Sequence, residues 1–353
     1  MSRFLSQRLL SLEEYVPGEQ PRDKKYIKLN TNESPFPPSP TAIAAVTDRE
    51  KEDLRLYSDP ECKKLKEAIA AYYNVGAENV FVSNGSDESL NFFFMAFCDE
   101  ENKVCFPEIS YGFYKVFADL YSLDYETIPL KEDFTIDVND YISKSKNIVI
   151  ANPNAPTGLC LGLSDIERIV SSNPDHIVVI DEAYVDFGGE SAVNLTKKYN
   201  NLMVVQTFSK SRSLAGARLG FAIADKEIIK DMEKIKYSTN PYNINRLTLL
   251  LGTEAIKDKE YFETNRNLII EARNYTEKSL IELGFDVLPS KTNFVFAKND
   301  KIPGEELYLK LKEKGILVRH FSNPKICEYN RITIGTMEEM QALVKATEEI
   351  ISQ

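Results

Sequence analysis

Between residues 80 and 224 the chain repeats one pattern: a short run of apolar and β-branched residues, a polar turn, then a segment with helical spacing. The runs fall at 80–83, 103–106, 148–151, 177–181, 202–206 and 219–224, and helical patterns at 86–97, 111–123 and 164–171 lie among the first five. A short run that is apolar throughout fits a strand buried on both faces, and helical crossovers between such strands leave their neighbours parallel. The pattern predicts an α/β domain with a mainly parallel sheet flanked by helices. In such sheets ligands bind beyond the carboxyl ends of the strands, so the polar residues there are the candidate site.

Several of these ends carry chemistry. After 80–83 comes Asn84-Gly85-Ser86-Asp87-Glu88 before an apolar helix, a loop whose backbone N–H groups form a natural phosphate cradle; an ordinary helix cap by Ser86 is the duller reading. After 103–106 comes Tyr111, a ring at a strand-to-helix junction that suits either stacking on a planar cofactor or core packing. After 148–151 comes Asn152-Pro153-Asn154-Ala155-Pro156-Thr157-Gly158, a rigid turn able to hold a cis proline. The run 177–181 ends in Asp181-Glu182-Ala183-Tyr184. A carboxylate emerging from a buried strand needs a partner: a protonated pyridinium nitrogen suits it, and an N-cap or a metal ligand are alternatives. The run 202–206 delivers Ser209-Lys210, with Arg218 following in a small-residue stretch where backbone approaches a ligand closely. A lysine can condense with an aldehyde, as pyridoxal phosphate requires, although most lysines are solvated surface charges.

The rest of the chain reads as a smaller α+β unit. A long amphipathic segment (Ile269, Ala272, Thr276, Leu280, Leu283) leads into apolar runs at 285–288, 293–297, 316–318 and 331–334, with helical stretches at 304–313 and 337–350. At the other end, a proline-punctuated arm over 15–38 is barred from helix by its X-Pro steps, yet Tyr15, Ile27, Leu29 and Phe36 are apolar enough to pack. Asp59 and Pro60 read as N-cap and first residue of a helix reaching Tyr73. The expected division is a large domain over 29–245 and a small one made of 1–28 with 246–353. With 353 residues and 43% hydrophobic content, the chain can fill two cores.

Composition excludes several classes. A net charge of −11 leaves no basic surplus for nucleic acid. Five scattered cysteines without a C-x-x-C pair read as reduced intracellular thiols, and two histidines make a histidine-rich metal site unexpected, so no metal is expected. No long apolar run suggests a membrane span and no signal peptide is legible, which points to the cytoplasm. No dinucleotide or nucleoside-triphosphate fingerprint is present.

Taken in order, Tyr57-Ser58-Asp59-Pro60, Gly85-Ser86-Asp87-Glu88, Tyr111, the Asn-Pro-Asn-Ala-Pro-Thr-Gly turn, Asp181-Glu182-Ala183-Tyr184 and Ser209-Lys210 with Arg218 resemble the fold-type I pyridoxal-phosphate aminotransferases. The arm sequences Tyr-Val-Pro-Gly-Glu-Gln-Pro from Tyr15 and Leu-Asn-Thr-Asn-Glu-Ser-Pro from Leu29, with Arg-Ile-Thr-Ile-Gly-Thr from Arg331, are similar to the histidinol-phosphate aminotransferase branch in particular. The resemblance implies that Lys210 carries pyridoxal phosphate, Asp181 pairs with its ring nitrogen, Tyr184 bonds its hydroxyl and Tyr111 stacks on its ring. It also implies that Gly85, Ser86, Asp87, Ser209 and Arg218 surround the cofactor phosphate, with Tyr57 reaching it from a second subunit of a homodimer. Tyr15, Arg319 and Arg331 would recognise the substrate phosphate; from the residues alone, the two arginines are equally surface or ion-pairing groups. Relatives usually carry Asn immediately before Pro-Thr-Gly, where this chain has Ala155, and Asn154 is the candidate substitute. The implied reaction is amino transfer from histidinol phosphate to a 2-oxo acid such as 2-oxoglutarate, a step of histidine biosynthesis. A lyase or decarboxylase acting on a phosphorylated amino acid, or a non-catalytic binding protein on the same fold, are the alternatives.

Overall fold

The computed structural model describes residues 3–10 and 12–352. Seven strands form one sheet in the spatial order Val80–Ser83, Gly220–Ile223, Leu202–Thr207, Val178–Asp181, Asn147–Ala151, Val104–Pro107, Tyr125–Ile128. Gly220–Ile223 is antiparallel to both neighbours and every other adjacent pair is parallel. The two-residue alternation of the strands explains why they read as apolar throughout. Ile148, Ile150, Val178, Ile180, Leu202 and Val204 enter one buried cluster, whereas Val149, Val179, Met203 and Val205 enter another on the opposite face. Helices cover both faces, with Lys63–Tyr73, Leu163–Ser172 and Arg246–Lys257 on the first and Ser86–Phe97, Phe113–Leu120 and Lys226–Thr239 on the second.

Some expectations need correction. The helix foreseen at 111–123 is Phe113–Leu120, which leaves Tyr111 in the turn before it. The helix expected to open at Pro60 starts at Lys63 behind Cys62 in a left-handed conformation, because the Asp59 carboxylate accepts the amides of Glu61 and Lys63 and closes a turn there instead. The cap of Ser86–Phe97 is Gly85, with Ser86 inside the helix. The strand Tyr125–Ile128 was not foreseen, because an edge strand keeps polar residues: its Glu126 takes ion pairs from Lys144 and Lys146.

The C-terminal part forms a four-stranded antiparallel sheet, ordered Arg319–His320, Asn330–Thr333, Phe294–Lys298, Asp286–Val287. It packs with the helices Lys259–Glu282, Gly304–Glu313 and Met337–Ile351 around Ile269, Leu280, Leu311 and Leu343. The N-terminal arm joins this part: Ile27–Lys28 pairs in parallel with Ile316–Leu317, and Leu29 lies in the same apolar cluster as Ile332 and Ile334. Among the described residues no helix is long and apolar enough to cross a membrane.

Candidate active site

Lys210 lies in the connection between Leu202–Thr207 and its antiparallel neighbour Gly220–Ile223. Neighbouring strands must be joined by a turn that stays at one sheet end, so the lysine is held at the carboxyl ends of the parallel strands. Two non-glycine residues of this connection, Ser213 and Arg218, have left-handed backbones (φ 57° and 52°), a conformation that costs a side-chain-bearing residue about 1 kcal/mol and survives only where surroundings impose it. Two cavities meet at the lysine. An inner one of about 340 Å³ holds Ser86, Asp87, Tyr111, Asp181, Tyr184, Ser209 and Arg218, and an outer one of about 510 Å³ holds Tyr15, Arg319 and Arg331; Thr31, Tyr111, Ala155, Tyr184 and Lys210 line both. Lys210 Nζ donates to the Thr31 carbonyl at 3.4 Å and lies 5.8 Å from the centroid of the Tyr184 ring.

Asp181 ends its strand almost wholly buried, and burial pushes its carboxyl up to about 6 against the bonds it accepts from Tyr114 Oη (2.8 Å) and the Ala183 amide (3.2 Å). Its neighbour Glu182 faces away, accepting from Ser191, Gln206 and the Ala192 amide, and burial likewise lifts it to about 7.

The opposite wall is built for an anion. The helix Ser86–Phe97 begins there; the Glu88 amide donates to the Gly85 carbonyl, and the Ser86 and Asp87 amides before it have no partner within the helix. Gly85 has φ 79°, and a Cβ on it would stand 2.5 Å from Arg218 Nη2; one on Gly220 would strike the Ser86 nitrogen at 2.3 Å. Glycine is therefore required at both positions to let loop, strand and guanidinium converge. Asp87 turns its carboxylate to Arg218 (2.9 Å) and to the Tyr111 hydroxyl (2.7 Å), so its side chain orients those two groups, and an anion in this cradle shares Arg218 with it.

The outer cavity has a different character. Neither Arg319 nor Arg331 has a carboxylate within ion-pair distance among the described residues. Arg331 Nη2 donates to the Asn30 carbonyl at 3.1 Å, its Nε is buried without a hydrogen-bond partner, and burial presses the guanidinium below its usual pKa. Arg319 donates to the carbonyls of Val16 and Pro17, which fixes the arm beside it, and Tyr15 on that arm stacks on Phe113 at 4.4 Å. A guanidinium whose Nε is buried without an acceptor is unfavourable unless one arrives.

Three predicted residues line neither cavity: Gly85, which sets the start of the helix behind Ser86, and two others. Asn154, the candidate substitute for the asparagine missing at Ala155, lines neither cavity; its amide bonds Ser110, the Ile109 carbonyl and Thr157. Tyr57 is 79% exposed and stacks on Tyr242 at 4.3 Å, on the outer surface. Sequence reasoning missed Tyr114 and Asn32. Asn32 Nδ2 donates to the Tyr184 hydroxyl at 2.9 Å while its own Oδ1 accepts from Thr333, so it joins the site to the antiparallel sheet. The only signal for Asn32 was its place in the Leu-Asn-Thr-Asn-Glu-Ser-Pro stretch; Tyr114 read as one aromatic among many.

An amine, a buried carboxylate and an anion cradle around one cavity fit an aldehyde-bearing pyridine with a phosphate arm. The family model for aminotransferase class I and II matches residues 24–346. A histidinol-phosphate aminotransferase of Brachyspira hyodysenteriae is 55% identical over 99% of both chains, and one of Clostridium botulinum is 48% identical over 100% of both. Among solved structures, a histidinol-phosphate aminotransferase of Clostridium acetobutylicum superposes with a TM-score of 0.85 at 24% identity, covering 92% of this chain and 99% of that one. Another, from Sinorhizobium meliloti in complex with pyridoxal-5'-phosphate, gives 0.86 at 23% identity over 93% and 92%; both likenesses speak to the fold.

Proposed function

The chain belongs to the class I and II aminotransferase family, and we propose that it is a pyridoxal-phosphate-dependent histidinol-phosphate aminotransferase that passes the amino group to a 2-oxo acid such as 2-oxoglutarate. The observation that carries this reading is one cavity system joining Lys210 and the buried Asp181 to two arginines that lack carboxylate partners among the described residues. A substrate with an amine at one end and a phosphate at the other is complementary to that arrangement.

When bound, the cofactor supplies an aldehyde for amines and a ring that accepts an electron pair. The chain's residues do the rest. Lys210 Nζ holds the cofactor and, once released by the incoming amine, moves the proton of the substrate Cα. Asp181 holds the proton on the pyridine nitrogen, and its burial makes that charge partner strongly preferred. Ser86, Ser209, Arg218 and the amides after Gly85 bind the cofactor phosphate; Tyr111 covers the ring face and Tyr184 orients its hydroxyl. Arg319, Arg331 and the Tyr15 hydroxyl bind the substrate phosphate and, with the arm, exclude water.

In this reading 29–245 forms the cofactor-binding domain, and 1–28 with 246–353 the smaller one, with Leu29 packed on the smaller side. The enzyme works in the cytoplasm as a homodimer in which Tyr57 reaches the cofactor phosphate of the other subunit. The exposure of Tyr57 supports this, since it lies with the exposed Leu54, Leu56 and Tyr242, and such an apolar patch favours burial against a partner. The test is direct. Purified protein loaded with pyridoxal phosphate should lose its cofactor absorption band on mixing with histidinol phosphate and recover it with 2-oxoglutarate. Borohydride reduction and peptide mapping should place the label on Lys210. Carbon dioxide release without that cycle, or a label on another lysine, would sink the reading.

A further inference from the structure

Tyr114 is the second residue of the helix Phe113–Leu120 and has no exposed surface. Its ring lies among aromatics, 5.8 Å from Phe106 and 5.7 Å from Tyr111 between centroids. A phenylalanine would fill that space equally well. The hydroxyl is what needs a reason, because a buried O–H is unfavourable without a partner. Its partner is Asp181 Oδ2 at 2.8 Å, and the other oxygen of that carboxylate accepts the Ala183 amide at 3.2 Å. Burial raises the Tyr114 hydroxyl well above its usual range while Asp181 rises only to about 6, so the tyrosine keeps its proton and is the donor.

One protein donor on each oxygen restrains the carboxylate's rotation where Asp181 lines the inner cavity. The same helix start carries Tyr111 three residues earlier, and the Tyr114 amide donates to the Tyr111 carbonyl at 3.2 Å. One turn of chain thus sets both the ring that faces the cavity and the hydroxyl behind its carboxylate.

Resting on the reading that Asp181 meets the pyridine nitrogen, we propose that Tyr114 is a positioning residue: its hydroxyl fixes the Asp181 carboxylate in its ionised, cavity-facing orientation and so keeps the proton on the cofactor nitrogen. Removing the hydroxyl leaves Asp181 with one protein donor, a more basic carboxylate and free rotation.

The experiment loads wild-type protein and Tyr114→Phe with pyridoxal phosphate labelled with ¹⁵N in the ring. In wild type the ¹⁵N resonance should report a protonated nitrogen. In Tyr114→Phe it should move toward the unprotonated position, and the cofactor dissociation constant should rise about tenfold to a hundredfold, the range for a hydrogen bond to a charged group. In an Asp181→Asn background, Tyr114→Phe should change neither quantity. A purely packing role would lower the melting temperature of the cofactor-free protein and leave the resonance and affinity unmoved, which would overturn the proposal. Equal changes with and without Asp181 would overturn it too. Wild-type protein that takes up no cofactor would overturn the parent reading and this inference with it, whereas a protonated nitrogen in both proteins overturns this inference alone.

Discussion

At the scale of single residues, the site is defined by groups that folding alone leaves poorly satisfied. Arg331 keeps a buried Nε without an acceptor, and Asp181 is held among neutral donors where burial lifts its carboxyl from 3.8 to about 6. A raised carboxyl favours the protonated form in the folded state. Its contribution to stability is therefore complete below about pH 3.8 and is lost as pH rises through about 6. Asp181→Asn removes that loss: its Oδ1 accepts the Ala183 amide and its Nδ2 donates to the Tyr114 oxygen, which reverses that bond. Cofactor-free Asp181→Asn should match wild type near pH 4 and be more stable at pH 7.5, by at most about 3 kcal/mol for a shift near two units. With pyridoxal phosphate bound the order should reverse, since the amide cannot partner a pyridinium. Denaturant titrations of both forms at the two pH values check this; because Glu182 is present in both proteins, its own rise to about 7 cancels in the comparison.

The element that closes the site is the N-terminal arm. It has almost no regular structure of its own, so its place rests on side chains. The Glu19 carboxylate accepts from Lys312 Nζ at 2.5 Å and from the Tyr308 hydroxyl, both on the helix Gly304–Glu313, and the Glu19 carbonyl accepts from Asn30 at 2.8 Å. Burial works to raise the Glu19 carboxyl, but the bonds from Lys312 and Tyr308 outweigh it and hold it below its usual range. A depressed carboxyl keeps its contribution above its unfolded pKa and loses it as pH falls through the folded one, so the clip is intact at neutral pH. Beyond the clip, Val16 and Pro17 take the Arg319 guanidinium and Tyr15 faces the outer cavity. Glu19→Gln should raise KM for histidinol phosphate severalfold with kcat nearly unchanged, because it loosens binding without touching Lys210 or Asp181. Faster proteolysis within 12–26 should accompany it; a fall in kcat alone would place Glu19 elsewhere in the cycle.

For the whole molecule, the question is what covers the surface around Tyr57. Tyr57 is 79% exposed, with Leu54 53%, Leu56 44% and Tyr242 42% exposed, which together are more apolar than a charged monomer surface requires. In the proposed homodimer a second copy covers this patch and Tyr57 serves the other subunit's inner cavity; it does not line its own. Tyr57→Phe and Lys210→Ala should each be impaired, and co-refolding the two should recover part of the activity, because a mixed dimer contains one site with both residues intact. Sedimentation as a monomer at micromolar concentration would rule this out.

The sheet was legible because its strands are buried on both faces: Val178 to Ile180 and Leu202 to Val205 must be apolar at every position, and that run is visible without knowing any neighbour. The residues at the strand ends were legible for a related reason: Asp181 ends an apolar run with a charge that a core would not tolerate, and Lys210 follows the next run among serines in a turn. Boundaries set by side-chain turns were less so: the helix after Asp59 waits until Lys63 because an Asp carboxylate competes for the backbone amides. What only the tertiary structure decided are the contacts between residues distant in the chain. Asn32 bonds Tyr184, Tyr114 bonds Asp181, and Asp87 joins Tyr111 to Arg218, each pairing depending on how the helices and the arm settle on the sheet. Asn154 shows the same dependence in reverse: its type and position suited the cavity, but its amide is satisfied within its own turn and by Ser110, a partner that only packing supplies. A sequence fixes which chemistry a chain carries at its strand ends, whereas the direction each polar group faces follows from which partner folding brings within hydrogen-bond reach.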